Sequence, residues 1–156
     1  MGPNQSITVG PNGVVILTLP ISPSDALARA LGGPRDTWAA GILAAALTVW
    51  DSPDTGQPLR RLLAEAVSDS GQGQALSEFL EHELIDPLAQ RLDGPLPRRR
   101  ATAAVTVVAG MILQRYALGA APMKDLSQRE VIATLGPLID AALRPRPARS
   151  ARGSGR

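Results

Sequence analysis

The chain of 156 residues contains no cysteine, one histidine and few aromatics, with Phe, Trp and Tyr together at 3%. Without cysteine there is no disulfide, no thiolate metal site and no cysteine nucleophile. With so few aromatics, alanine and leucine must fill the core, which favours packed helices over a β-sandwich. No apolar run approaches the roughly 18 residues of a membrane span. A basic n-region is also missing from the N-terminus, so no signal peptide is expected and the cytoplasm is the expected compartment. Asn4-Gln5-Ser6 then reads as a chance glycosylation match. What is present is a globular composition, 44% hydrophobic and 19% charged, of a length that suits one domain.

Charge is unevenly spread. The formal net charge is +2, but the last 13 residues, RPRPARSARGSGR, hold five arginines and no acid. Residues 1–143 keep 11 basic and 14 acidic residues, a net of −3. The basicity is therefore that of a tail, residues 144–156, expected to be disordered and solubilising. Arg98-Arg99-Arg100 sit at a helix start, where cations gain nothing from the helix dipole. No aromatic interleaving supports stacking on bases.

Residues 1–19 differ from the remainder of the chain. Two β-prone runs, Ile7 to Val9 and Val14 to Leu19, flank the turn-forming Gly10-Pro11-Asn12-Gly13, so a small hairpin or a loose segment is expected. From residue 20 the punctuation is helical. Ser22 and Pro23 open a short helix ending at Gly32-Gly33. A second helix is expected over about 35–50 and a third over about 58–68, started by Pro58. A fourth over about 74–92 is expected to kink at Pro87, whose ring crowds the Glu83 carbonyl. The longest runs over about 97–118 and is rich in small residues. The last, about 128–143, opens with a Ser127–Glu130 capping box and should bend at Pro137. The expected fold class is all-α, about six helices over residues 20–143.

Catalytic chemistry finds little support. His82 is the single histidine, and nothing like a nucleophile elbow surrounds Ser68, Asp69 or Ser70. Glu81 and Glu83 are two residues apart and do not share a helix face. With Asp86 they read as a solvated face rather than a metal site. Asp51 and Asp54 sit among prolines, serine and glycine, a context for turns and caps. The glycines lack a P-loop lysine. Neither an enzyme nor a metal nor a cofactor is expected.

Three stretches carry a resemblance: ALTVWDSPDTGQPLRRLLAEAVSD, ALSEFLEHELIDPLAQRL and VVAGMILQRYALGAAPMKDLSQREVIATLGPLIDAAL. Together they resemble the C-terminal domain of tetracycline-repressor (TetR/AcrR) type transcriptional regulators. The pattern includes a long helix ending in Arg115-Tyr116 and a Leu118-Gly119 turn, then a capped helix with an inner proline, here Ser127 and Pro137. The resemblance implies a ligand-sensing and homodimerising domain. The last two helices would make the dimer bundle, with Val108, Met111, Arg115, Leu135, Leu138 and Ile139 as contacts. A small hydrophobic effector would sit among Trp38, Leu43, Leu47, Trp50, Leu62, Ala66, Phe79, Met111 and Tyr116.

Family members also carry an N-terminal helix-turn-helix of roughly fifty residues, and residues 1–19 hold β-prone sequence in its place. DNA binding would require that missing domain. The expectation is a truncated or frameshifted gene, or a misassigned start, ahead of a stand-alone effector domain. The alternative function is a helical module that heterodimerises with a full-length regulator.

Overall fold

The structure is a computed structural model that describes residues 22–68 and 70–146, with the backbone of two short strands before them. The expected Gly10–Gly13 turn, Asp69 and the tail beyond Arg146 lie outside the described residues. The strands β1 (Ile7–Val9) and β2 (Val15–Leu17) pair antiparallel, with Ile7 opposite Leu17. The other elements among the described residues are helical, as the composition leads one to expect.

Helix α1 spans Pro23–Ala30. Ser22 occupies its N-cap position, but its hydroxyl meets Ser24 Oγ at 2.7 Å instead of capping the helix. A 3-10 turn, Arg35–Thr37, leads into α2 (Trp38–Asp51). Helix α3 covers Pro53–Ser68 and so begins a full turn before the expected start at Pro58. Pro53 takes the first-turn position that proline tolerates, and Gly56 N–H donates to the Ser52 carbonyl at 2.7 Å. That turn is tight. A Cβ added at Gly56 would lie 2.2 Å from the Trp50 carbonyl oxygen, so only glycine lets α3 fold back this closely.

The expected fourth helix is three elements: α4 (Ser70–Leu80), a π-helical turn (Glu81–Ile85) and α5 (Asp86–Gln90). Pro87 explains the π turn. It has no N–H for the Glu83 carbonyl, and the widened turn lets Asp86 N–H reach Glu81 O, five residues back. Helix α6 (Pro97–Ile112) ends in a second π turn, Leu113–Ala117, closed by Leu118 N–H on the Leu113 carbonyl at 2.9 Å. A one-turn helix, α7 (Ala121–Lys124), precedes α8 (Gln128–Leu143). The capping box is present: Ser127 N–H donates to Glu130 Oε2 at 2.8 Å, and Glu130 N–H donates to Ser127 Oγ at 3.3 Å.

Helix α8 packs on both α2 and α6. The core between them holds Leu43, Leu47, Ala101, Met111, Val131 and Ile139, each at most 2% exposed. One charged side chain joins them. Arg100 is 8% exposed. Its Nε and Nη2 donate to the Leu143 carbonyl at 3.2 and 2.6 Å, and its Nη1 to the Asp93 and Pro95 carbonyls at 2.7 and 3.1 Å. Arg35 Nη2 reaches the same Leu143 carbonyl at 3.0 Å. The negative end of the α8 dipole takes the place of a carboxylate partner. The basic run at 98–100 is thus divided, because Arg98 pairs outward with Glu81 and Asp86.

Candidate functional site

A cavity of about 620 Å³ opens inside the helical layers, within the range of small-molecule sites. Its walls follow helical spacing. Ile42, Ala46 and Val49 stand on α2, Leu59, Leu62 and Ala66 on α3, Leu76, Phe79 and Leu80 on α4, and Ala104, Val108 and Ile112 on α6. Pro23 and Leu27 of α1 and Leu88 of α5 also line it. The space exists because Ala26, Ala45, Ala46, Ala66, Ala75 and Ala104 occupy wall positions where a larger side chain would fill it. Apart from the indole of Trp50, the polar side chains on the wall are Ser22 and Glu83. Among the described residues, α8 contributes nothing to the lining.

Trp50 closes one end. Its ring stacks on Tyr116 at 5.4 Å between centroids and 25° between planes. The Tyr116 hydroxyl donates to Asp51 Oδ1 at 2.7 Å, and Gln128 Nε2 donates to Asp51 Oδ2 at 2.9 Å. The guanidinium groups of Arg60 and Arg115 lie 5.2 and 5.7 Å from the Tyr116 ring centre. Burial, then the hydrogen bond to Asp51 and the Asp51 charge, push the Tyr116 hydroxyl up to about 12. Asp51 is therefore a tie between the end of α2, the turn after α6 and the start of α8.

Of the nine pocket candidates, Trp50, Leu62, Ala66 and Phe79 stand on the cavity wall. Leu43, Leu47 and Met111 belong to the core that α2, α6 and α8 share. Trp38 is buried at the start of α2, where its Nε1–H donates to the Gly33 carbonyl at 3.0 Å. Tyr116 sits behind Trp50 rather than on the wall. The physical reason is that α2 and α6 are apolar on two faces. One face meets α8 and the other meets the cavity, and both carry large side chains: Leu43, Leu47 and Met111 on the first, Ile42, Trp50 and Ile112 on the second. The wall residues outside the nine include the small Ala45, Ala46 and Ala104 and the larger Ile42, Leu59, Leu76 and Ile112.

Ser22 and Glu83 were also missed as wall residues. Glu81 and Glu83 being on opposite faces was legible; which face was inward was not. His82 is exposed, with Nδ1 3.7 Å from Asp86 Oδ2, and lies off the cavity. No group of three or more metal-ligating side chains occurs among the described residues, and no described helix is long and apolar enough to cross a membrane.

A profile of the family described as "Tetracyclin repressor-like, C-terminal domain" matches residues 36–143. The chain belongs to this family. Among solved structures it is similar to a TetR-family regulator from Streptomyces coelicolor, at 19% identity and a TM-score of 0.59, over 78% of this chain and 81% of that one. At that identity the likeness concerns the fold. No relative with a curated function matches the chain by sequence.

The matched span of the tetracyclin repressor-like domain includes both the cavity-lining helices α2 to α6 and the α6–α8 pair. Within that pair, Met111 (1% exposed) and Ile139 (0%) are core residues of a single protomer, and Val108 faces the cavity. Arg115 Nη1 donates to the carbonyls of Met123 and Leu126 at 2.8 and 2.7 Å and so pins the link between α7 and α8. Leu135 is half-buried, while Leu138 is 53% exposed. Exposed positions on the outer faces include Ala103 and Thr106 of α6, Leu113 of the π turn after it, and Thr134, Leu138 and Ala141 of α8.

Proposed function

We propose that this chain is the effector-sensing and homodimerising part of a TetR-type transcriptional regulator, with the 620 Å³ cavity as the effector site. The observation that carries the reading is that apolar cavity inside the matched domain, bounded by side chains smaller than tight packing would use. A small, largely apolar molecule suits it. Its binding would act by population shift, because the effector binds two conformations of a regulator unequally. The Trp50–Tyr116–Asp51 contact supports a route for that shift. It joins a cavity wall to both the turn after α6 and the first turn of α8.

Dimerisation would use the outer faces of α6 and α8 in a four-helix arrangement. A Cβ added at Gly110 meets nothing within 4 Å, and the exposed Thr106 and Ala103, one and two turns before it, are small, so a partner helix could approach closely.

A thermal-shift screen of small apolar molecules tests the sensing claim. A ligand that binds the native state raises the melting temperature in a concentration-dependent way. Ala66→Leu, which occupies part of the cavity, is expected to abolish the shift while the protein stays folded. A screen with no saturable stabiliser would refute the effector reading. For the dimer, sedimentation of Gly110→Arg and Leu138→Glu should give monomers. Dimers that persist in both variants would move the interface elsewhere.

A further inference from the structure

We propose that the cavity selects an amphiphilic cation, an apolar body ending in one protonated nitrogen that donates hydrogen bonds to Glu83. The inference rests on the cavity being an effector site and names the chemistry of what enters. Glu83 supplies the carboxylate of an otherwise apolar wall. Its neighbours on the same strip of chain are engaged elsewhere: Glu81 and Asp86 both pair with Arg98. Among the described residues Glu83 accepts a single bond, from Ser24 Oγ to Oε2 at 3.0 Å, and no lysine or arginine pairs with it.

The backbone explains the separation. Glu81 and Glu83 share the π turn forced by Pro87, and two residues of helix send their side chains to opposite sides. Glu81 faces Arg98 at the surface and Glu83 faces the cavity.

The physical argument turns on what a ligand removes. Filling the cavity displaces water from Glu83 and leaves its charge with one hydroxyl partner. A neutral ligand leaves that desolvation uncompensated. A protonated amine replaces the lost water with a charge-assisted hydrogen bond at the free Oε1. A carboxylate ligand would add like-charge repulsion. Ser22, also on the wall and 2.7 Å from Ser24 through its hydroxyl, extends the polar end of the site. The apolar body of the ligand would lie along Leu62, Leu76 and Val108.

Calorimetric titration of the whole chain with n-decylamine, n-decanol and decanoate, each below its micellar concentration, decides the matter. The amine is expected to bind about tenfold more tightly than the alcohol or better, a difference of about 1.4 kcal/mol or more. Decanoate should bind more weakly than the alcohol. Glu83→Gln keeps the side-chain shape and an acceptor for Ser24, and should bring the amine down to the level of the alcohol without weakening the alcohol. Ser24→Ala removes only the supporting hydroxyl and should keep the order amine, alcohol, carboxylate. It serves as the second readout if the glutamine variant unfolds. Equal binding of amine and alcohol, or an unchanged amine preference in Glu83→Gln, overturns the cationic reading and leaves the cavity standing. Saturable binding by none of the three overturns the effector reading and this one with it.

Discussion

Replacing Arg100 by methionine should remove about 3 kcal/mol of stability. Arg100 is 8% exposed and ties the Asp93–Pro95 turn to the last carbonyl of α8. A hydrogen bond to a charged group is worth about 1.5–3 kcal/mol net. The four bonds share one guanidinium and end on three carbonyls, so they do not add. The carbonyls of Asp93 and Pro95 belong to exposed residues and can rehydrate. Leu143 is 3% exposed, and its carbonyl keeps only Arg35 at 3.0 Å. Two partly independent losses of about 1.5 kcal/mol give the figure.

Methionine preserves most of the buried stem, so the loss reports the guanidinium rather than a cavity. For a chain of this length, the melting temperature should fall by about 6–12 °C. Urea unfolding followed by circular dichroism should show a lower midpoint at an unchanged slope, and Arg100→Lys should lie between. A buried charge replaced by an apolar group can also stabilise a protein when both partners are exchanged. Here the partners are backbone carbonyls and remain. A methionine variant as stable as the parent, or more so, would refute the reasoning.

Tyr116→Phe removes the bond to Asp51 and should destabilise by about 1 kcal/mol in the same urea assay. Because the Tyr116 proton is held to about 12 in the folded state, against 10 when unfolded, its contribution is complete below pH 10 and lost between pH 10 and 12. The two-unit rise sets a ceiling of about 2.7 kcal/mol, which solvent screening of this half-buried group reduces to about 1. A pH titration of the midpoint should show that step in the parent and not in the phenylalanine variant. Gly56→Ala forces a Cβ against the Trp50 carbonyl oxygen, 2.2 Å away, and should lower the melting temperature by several degrees while disturbing Trp50 fluorescence. Ser127→Ala should cost about 1 kcal/mol by calorimetric melting, through loss of the α8 cap. The Ser127 backbone N–H, then its hydroxyl, hold the Glu130 carboxyl below its usual range, so acidification through that lowered value should narrow the difference between variant and parent by the share of the hydroxyl bond to Glu130 and leave the share of the Glu130 N–H bond to Ser127 Oγ.

How much was legible varies from element to element. The Ser127–Glu130 box and the apolar stripe after it located α8 to the residue, because a cap and a 3.6-residue period are local signals. Pro87 announced an irregularity, and the structure resolves it as a π turn. Pro58 misled: a proline late in the first turns reads as a start, yet Pro53 had already taken that place. At the candidate site, Trp50, Leu62, Ala66 and Phe79 were named from helix order and resemblance. Leu43, Leu47 and Met111 were named on the same ground, and they lie on the face that meets α8.

The sequence by itself determined the helical class, the α8 cap and most breaks, the acidic balance of residues 1–143 and membership of the repressor-like family. These depend on neighbours within a few positions or on the pattern along the whole chain. Only the tertiary structure decided which face of α2 and α6 borders the cavity, that Arg100 is buried on the end of α8, and that Glu83 rather than Glu81 faces inward. Helices apolar on two sides give the same period whichever side turns inward. The choice is made by packing against α8, a partner distant in sequence, and no local signal carries it.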